Sequence, residues 1–233
     1  QALTFSWVLG GIIVLNSISI PQMILSRIIL DKEAKTTNDF YVIPFKRSIL
    51  GLSYIASALV IGTIITYLSF LVGEAYIFIV SGQLFSLNMH IIVFGLIVLC
   101  TTSFSSIMYL IYLFLKTSST IGGLNAFVSS VGGFLAGIYI TIGSLSGVAK
   151  DIISSNPLAH ATALVRSTLM DSQTDIVFQG LPIEVATNFK DSLGVNLYIG
   201  SSQLSNITYI TVLSAIAIIC FGISYFKLKN DKL

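Results

Sequence analysis

The side chains able to do chemistry are concentrated in one short stretch, residues 31–47. This run, DKEAKTTNDFYVIPFKR, holds three acids, four bases and three aromatic rings between two long apolar runs. Hydrocarbon cannot hydrate charged groups, so the stretch must lie in water or against another protein. Exposed aromatic rings are typical anchors for a partner, although they also suit the lipid–water interface. We predict that residues 31–47 bind a soluble partner.

The sequence contains no pattern that indicates catalysis. We find no Ser/His/Asp set, no paired carboxylates and no GxxxxGK[ST] phosphate loop. The two cysteines, Cys100 and Cys220, lie in apolar runs, and no metal-ligand spacing is present. The net charge of +2 gives no reason to expect nucleic acid. We predict that the chain is not an enzyme and that it carries no cofactor or metal of its own.

Three further ionisable residues, Glu74, His160 and Arg166, lie outside residues 31–47. Glu74 lies close to the apolar body of a predicted membrane span, where an acid is costly and is a functional candidate by default. It could serve a proton or a cationic substrate, but we favour a solvated position among the outer headgroups, with no function. His160 and Arg166 lie in a later polar segment; Arg166 is expected to pair with Asp171 or with a lipid phosphate.

The composition predicts a membrane protein. The chain is 55% apolar and 9% charged, whereas soluble domains carry about 25% charged residues. We predict an all-α polytopic membrane protein, a single transmembrane domain over residues 1–233. Pro21 is expected to kink the first span, and Gly73–Glu74 is the expected weak point of the second. The five predicted spans are residues 3–30, 48–80, 89–115, 121–145 and 207–226.

The fourth predicted span carries small residues at every fourth position: Ser129, Gly133, Gly137 and Thr141. On one continuous helix they would form a stripe that another helix can approach closely. Either a contact within the chain or a subunit interface would use such a stripe.

Residues 146–205 form the long polar segment of the chain. Asn156 before Pro157 is a good helix start, because Asn caps and proline needs no N–H there. We predict a short amphipathic helix over Pro157–Met170, at the membrane surface or dipping into it. A second short helix over Pro182–Leu193 and a brief strand within 195–199 should follow.

The charges also predict an orientation. Placing residues 31–47, the turn at Lys116 and the C-terminus on one side puts nine cations against four acids there. The other side then holds three cations against six acids. Because Lys and Arg collect on the cytoplasmic side, residues 31–47 and the C-terminus are expected in the cytoplasm, and residues 146–205 outside. A sixth span ahead of Gln1 would place the N-terminus of the full chain in the cytoplasm.

The order of these pieces resembles a known family. The stretch DKEAKTTNDFYVIPFKRSILGLSYI resembles the charged, Pro-containing segment of ABC-2 type exporter permeases. GGFLAGIYITIGSL followed by NPLAHATALVRSTLM resembles their fifth span and the re-entrant outer helix after it. The likeness covers nearly the whole chain and is closest to drug- and peptide-export members of Gram-positive bacteria. The family's N-terminal cytoplasmic helix and first span are not seen.

This resemblance implies half of an ATP-driven exporter in a bacterial plasma membrane. Two permease copies, identical or different, would pair in the lipid and bind two ATPase subunits, which hold the ATP and magnesium. Pro157, His160 and Arg166 would lie on the outer helix that gates the exit. The cargo would be a hydrophobic drug, a peptide or a lipid-like molecule. The residues expected to contact the ATPase are Asp31, Lys35, Asp39, Phe40, Tyr41, Pro44, Phe45, Lys46 and Arg47.

Other functions remain open on the sequence. The same architecture would serve a glycan or polymer precursor as cargo. An ion-coupled carrier or channel needs ionisable groups within the membrane and inverted halves; apart from Glu74, we expect no such group in the spans. A membrane anchor or sensor would bind a ligand through residues 146–205, but it would leave residues 31–47 without a role.

Overall fold

The chain is an all-helical bundle with one very short hairpin. The structure, a computed structural model, describes residues 2–35, 47–145, 147–199 and 202–230. Strand β1 (Tyr198–Ile199) pairs antiparallel with β2 (Ser202–Gln203). The α-helices are α1 (Ala2–Leu25), α2 (Arg27–Glu33), α3 (Arg47–Ser81), α4 (Leu87–Tyr112), α5 (Ser118–Leu135), α6 (Val148–Ser154), α7 (Pro157–Val177), α8 (Ile183–Ser192) and α9 (Asn206–Asn230).

Four helical stretches are long and apolar enough to cross a membrane: Ala2–Glu33, Ile49–Ser81, Leu87–Tyr112 and Asn206–Lys227. The membrane-like, all-helical character expected from composition is therefore confirmed. Helix α3 has 35 residues, or about 52 Å at about 1.5 Å per residue, and exceeds the roughly 30 Å of hydrocarbon. Its exposed face carries large apolar side chains, including Val60, Ile64 and Val72.

Helix α1 lies at the centre of the bundle and packs against α3, α4, α5 and α7. Ile13 and Val14 are both fully buried although they point about 100° apart around the helix axis, so the buried part of α1 is wide. The helix continues through Pro21 and ends at Leu25, with the break at Ser26 rather than at the proline.

Helix α3 runs without interruption through Gly73 and Glu74, so the expected weak point is wrong. The glycine has a packing role instead. A methyl group at Gly73 would overlap the side chain of Leu9, so the absent side chain allows α1 and α3 to come close.

Helix α5 ends ten residues before the predicted end of the fourth span. Gly137 has a left-handed conformation, with φ of 63°. The amide of Ile138 donates to the carbonyl of Gly133 (2.9 Å), and that of Gly137 donates to Phe134 (3.0 Å). These are the two bonds of a Schellman C-cap. A short 3₁₀ turn at Ile142–Ser144 follows.

The predicted stripe of small residues is therefore wrong as a single surface. Ser129 and Gly133 lie on α5, but Gly137 and Thr141 lie beyond its end. The ring of Tyr139 folds back onto Gly133 and fills the space where a neighbouring helix was expected.

Helix α7 also differs from prediction, because it is longer than expected and its first half is buried on all sides. It reaches Val177, and every residue in 158–167 is buried. Its start agrees with prediction: Asn156 Oδ1 accepts from the amide of Ala159 (3.1 Å) and Pro157 follows the cap. The second predicted helix exists as α8, and the strand predicted within 195–199 is reduced to β1.

We expect Gly137→Ala to destabilise the chain. The left-handed conformation costs an alanine about 1–2 kcal/mol of free energy, and its methyl group would lie 2.7 Å from Ile142 Cγ1. The matched control is Gly222→Ala in α9, where the added methyl group meets nothing within 4 Å. Thermal unfolding of the purified protein in lipid should show a lower midpoint for Gly137→Ala only. Equal midpoints would contradict the role of Gly137 at this cap.

Candidate functional site

Four chain segments meet at the end of the bundle where residues 31–47 begin. Asp31 accepts a hydrogen bond from the hydroxyl of Tyr54 on α3. Glu33 Oε1 accepts from the amide of Ser118, the first residue of α5, at 2.7 Å. Lys227 Nζ on α9 donates to the carbonyl of Leu113 at 3.0 Å. The flanks of the charged stretch, the α4–α5 turn and the end of α9 therefore lie together.

This end of the bundle is basic and exposed. Arg27, Lys32, Lys35 and Lys116 are all exposed there. Of the residues predicted to contact a partner, Asp31 is half-buried, Lys35 follows α2 with φ of 57°, and Arg47 opens α3. The remaining predicted contacts lie outside the described residues: Asp39, Phe40, Tyr41, Pro44, Phe45 and Lys46.

Arg166 forms a buried centre towards the opposite end. Its side chain is fully buried, and its guanidinium carbon lies 3.9 Å from the ring centroid of Trp7. Nε donates to the carbonyl of Trp7 (3.1 Å), and Nη1 donates to the carbonyl of Gly137 (3.2 Å). Gly10 makes room for this side chain, because a methyl group there would lie 2.8 Å from Arg166 Cγ. One arginine thus joins α1, α7 and the break after α5.

The partners predicted for Arg166 are not the ones observed. Asp171 instead pairs with Lys190 of α8, at 2.7 Å. Arg166 lies among helices and backbone carbonyls, away from any surface where it would meet a phosphate. A cation–π contact and carbonyl acceptors stabilise the guanidinium in place of a carboxylate partner.

The other two residues predicted for the outer gate, Pro157 and His160, lie where they stabilise the fold. Pro157 opens α7 after its cap. His160 is 4% exposed and meets the ring of Tyr209 edge-on, with 5.4 Å between centroids. Burial lowers the pKa of His160 and favours its neutral form. This histidine therefore packs α7 against α9.

Polar contacts, one of them from α1, hold the segment that follows α7. Trp7 Nε1 donates to the carbonyl of Leu193 (3.0 Å), tying α1 to the end of α8. Asp191 accepts from the hydroxyl of Tyr198 (2.9 Å) and from Asn196 (2.7 Å). Burial, together with the bond to Asp191, raises the pKa of Tyr198 to about 12.

Glu74 is buried rather than solvated, so the position favoured from sequence is wrong. It is 5% exposed, and its Oε1 lies 3.2 Å from Nε2 of His90 in the first turns of α4. The same oxygen accepts from the amide of Phe85 at 3.0 Å. The hydroxyl of Tyr67 lies 3.3 Å from the other ring nitrogen of His90.

His90 is the residue that sequence reasoning missed. The available signal is that Glu74 lies near the end of α3 and His90 near the start of α4. Consecutive helices joined by a short connection pack antiparallel, so two such residues face each other. Within the described residues, no group of three or more His, Cys, Asp or Glu side chains could hold a metal ion.

Helix α5 connects the two ends. Its first residue, Ser118, donates to Glu33, and the turn after its last residue presents the Gly137 carbonyl to Arg166. At this second end, Asn156 Nδ2 also donates to the carbonyl of Leu135, the last residue of α5, at 3.1 Å.

No protein-family model matches the chain, and neither the curated proteins nor the solved structures contain a match to it.

We expect Arg166→Lys to destabilise the chain although it keeps the charge. An ammonium group is compact, lacks the planar fork, and cannot reach both carbonyls while stacking on Trp7. Loss of one charge-assisted bond should cost about 1.5–3 kcal/mol. The control is Lys190→Arg, which makes the reverse exchange in the half-exposed pair with Asp171. If the two variants unfold at the same temperature in lipid, Arg166 does not act through its fork.

Proposed function

We propose that the chain is the permease subunit of an ATP-driven exporter of the ABC-2 type. The observation that carries this proposal is the linkage of residues 31–47 to the Arg166 centre through α5. An exporter whose motor is a separate protein needs a charged docking segment, a rigid transmitting element and a distant gate. Residues 31–47, α5 and the Arg166 centre supply these three parts.

In this proposal the basic end faces the cytoplasm and residues 146–205 face outside. Excess Lys and Arg at the end formed by α2, the α4–α5 turn and α9 support that orientation. Helix α5 serves as a fifth, short span. Its 18 residues extend about 27 Å, close to the roughly 30 Å of hydrocarbon.

In this proposal the transport step uses the contacts at both ends of α5. An ATPase subunit binds Phe40 and Tyr41, and its closure on ATP moves the flanks of the segment. The contact of Glu33 with Ser118 displaces α5, and the displacement changes the hold of Arg166 on Gly137. The outer end then opens for a hydrophobic drug, peptide or lipid-like cargo. The chain itself hydrolyses nothing; ATP and magnesium belong to the partner.

A second permease copy completes the pathway. The exposed side of α5 carries Gly122, Gly123 and Ala126, and nothing lies within 4 Å of a methyl group added at either glycine. Small residues of this kind allow close approach of a helix from another subunit in lipid.

A second candidate function is an ion-coupled carrier. The buried pair of Glu74 and His90 favours it, because ionisable groups within the membrane are typical of such proteins. Dye efflux from cells separates the two. An exporter stops when ATP is depleted and the proton gradient is kept, whereas a carrier stops when the gradient is dissipated and ATP is kept.

The docking part of the proposal predicts that Phe40→Ala with Tyr41→Ala prevents binding of the ATPase. Interface anchors of this type typically contribute 2 kcal/mol or more each, so the pair should weaken binding by about a hundredfold or more. The measurement is co-purification of the chain with the proposed ATPase partner. The control is Phe127→Ala with Phe134→Ala on α5, which removes two exposed rings elsewhere. Unchanged recovery of the ATPase with the Phe40 and Tyr41 variant would refute docking at this segment.

The transmission part predicts that Glu33→Ala uncouples hydrolysis from transport. Because this variant removes the bond from Ser118 to Glu33, dye transport should fall while the ATPase still binds and hydrolyses ATP. Glu184→Ala, an exposed glutamate on α8, is the matched control. A parallel fall in hydrolysis and transport would instead assign Glu33 to the docking surface, and unchanged transport would remove it from the pathway.

A further inference from the structure

A groove of about 290 Å³ lies between the C-terminal part of α7 and the following helix α8. Thr174 and Phe178 of α7 form one wall of this α7–α8 groove. The other wall is one face of α8, because its lining residues are spaced three or four apart. These are Ile183, Ala186, Thr187 and Lys190.

The volume of the α7–α8 groove suits a single hydrocarbon segment. An apolar cavity of roughly 150 Å³ accommodates benzene, so this groove has room for roughly a dozen carbon atoms. Pockets for drug-sized molecules begin at about 300 Å³. A whole drug or a folded peptide therefore fits poorly here.

The lining is less polar than its residue types suggest. The hydroxyl of Thr174 donates to the carbonyl of Met170 (2.8 Å), and that of Thr187 donates to Ile183 (3.1 Å). Both hydroxyl hydrogens are thus used within their own helices, and neither is left for a ligand. Lys190 is the lining residue with donors to spare.

Helix α8 separates its polar residues from the groove. At about 100° per residue, Glu184, Asn188 and Asp191 project within about 60° of one another, away from the lining face. By contrast, Ile183 is 85% exposed, and Leu181 in the connection from α7 is 53% exposed. A helix whose apolar and polar sides are divided in this way is typical of a membrane–water interface.

The α7–α8 groove lies at the level where α1 enters the membrane. Trp7 Nε1 donates to the carbonyl of Leu193, the residue after α8, at 3.0 Å. Trp7 is in the second turn of Ala2–Glu33, a stretch able to cross a membrane, and tryptophan is enriched at membrane–water interfaces. Val8 and Ile12, which follow it, expose apolar side chains. The groove therefore lies beside the lipid-facing surface of α1.

One end of the groove is charged and the other is apolar. Lys190 Nζ donates to Asp171 at 2.7 Å, and Asp171 is its acceptor among the described residues. An ammonium group has three donors, so two remain for the oxygens of a ligand. At the other end, Leu181 and Ile183 expose hydrocarbon. The ion pair is neutral overall, which suits a zwitterionic headgroup.

We propose that the α7–α8 groove binds one acyl chain of a zwitterionic membrane phospholipid. The ester and phosphate oxygens of the lipid meet Lys190, and the chain runs towards Leu181 and Ile183. The membrane character of the chain and the geometry of the groove carry this assignment. It holds whether or not the chain is an exporter subunit, and its test involves no transport.

The test is photo-crosslinking of the full chain in nanodiscs of phosphatidylcholine that carries a diazirine on one acyl chain. Protease digestion and mass spectrometry then locate the adducts. We expect adducts on the lining residues in the unmodified chain. Ala186→Phe should lose them, because a phenyl ring takes up roughly half of the groove. Adducts on the exposed face of α3, at Val60 and Ile64, should remain and show that the variant is folded.

The matched control is Asn188→Phe, which adds the same ring on the polar side of α8 and should keep the adducts in the groove. Equal yields in the groove for Ala186→Phe and the unmodified chain would mean that lipid merely touches the surface, and would overturn the proposal. An unmodified chain without adducts there, as when another protein chain covers the groove, would overturn it as well.

The position of the diazirine tests the direction of the bound chain. A label next to the ester should react near Thr187 and Lys190, whereas a label at the end of the acyl chain should react near Leu181 and Ile183. The reverse order, or the same positions for both labels, would contradict the placement of Lys190 at the headgroup.

Discussion

The contact of Arg166 with α1 and with the break after α5 is the constraint on which the arrangement of this bundle depends. A guanidinium buried in an apolar interior is costly unless its donors are used. Here Nε and Nη1 donate to the carbonyls of Trp7 and Gly137, and the charge lies over an indole ring, whereas Nη2 has no acceptor among the described residues. The carbonyl of Gly137 is available because α5 stops before it, since a continuous helix would engage that carbonyl itself. The early end of α5, the burial of α7 and the missing side chain at Gly10 all accommodate the buried Arg166.

Several polar groups elsewhere in the bundle are satisfied by nearby backbone carbonyls. Hydroxyls on α7 donate to carbonyls of their own helix, as Thr162 does to Leu158 (2.7 Å) and Ser167 does to Leu164 (2.9 Å). This explains why the sequence misleads on that helix. Its serines and threonines suggest a surface face, yet once bonded internally they are as easy to bury as alanine. An amphipathic pattern made of Ala, Ser and Thr is therefore a weak sign of exposure.

The sequence predicts well whatever depends on average polarity. The long apolar helices, the start of α7 at Asn156 and the separation of charges between chain segments all follow from composition and capping. It predicts poorly what depends on pairs of distant residues. Glu74 is judged alone as solvated, but His90 on the facing helix makes burial possible. Likewise, Gly73 is judged as a weak point, but Leu9 uses the space that it leaves. The coupling residues from Asp39 to Lys46 stay a prediction.

The groove beside Gly10 that receives Arg166 has a consequence for the biosynthesis of the chain. Gly10 and Gly11 lie on α1, whereas Arg166 follows some 155 residues later in the chain. During synthesis α1 must therefore remain with an unfilled groove beside Gly10 until α7 has been made. The arginine must in turn be kept from lipid until that groove is available. Completion of the bundle is thus a late, post-insertion event, and the insertion machinery has to tolerate a half-assembled intermediate.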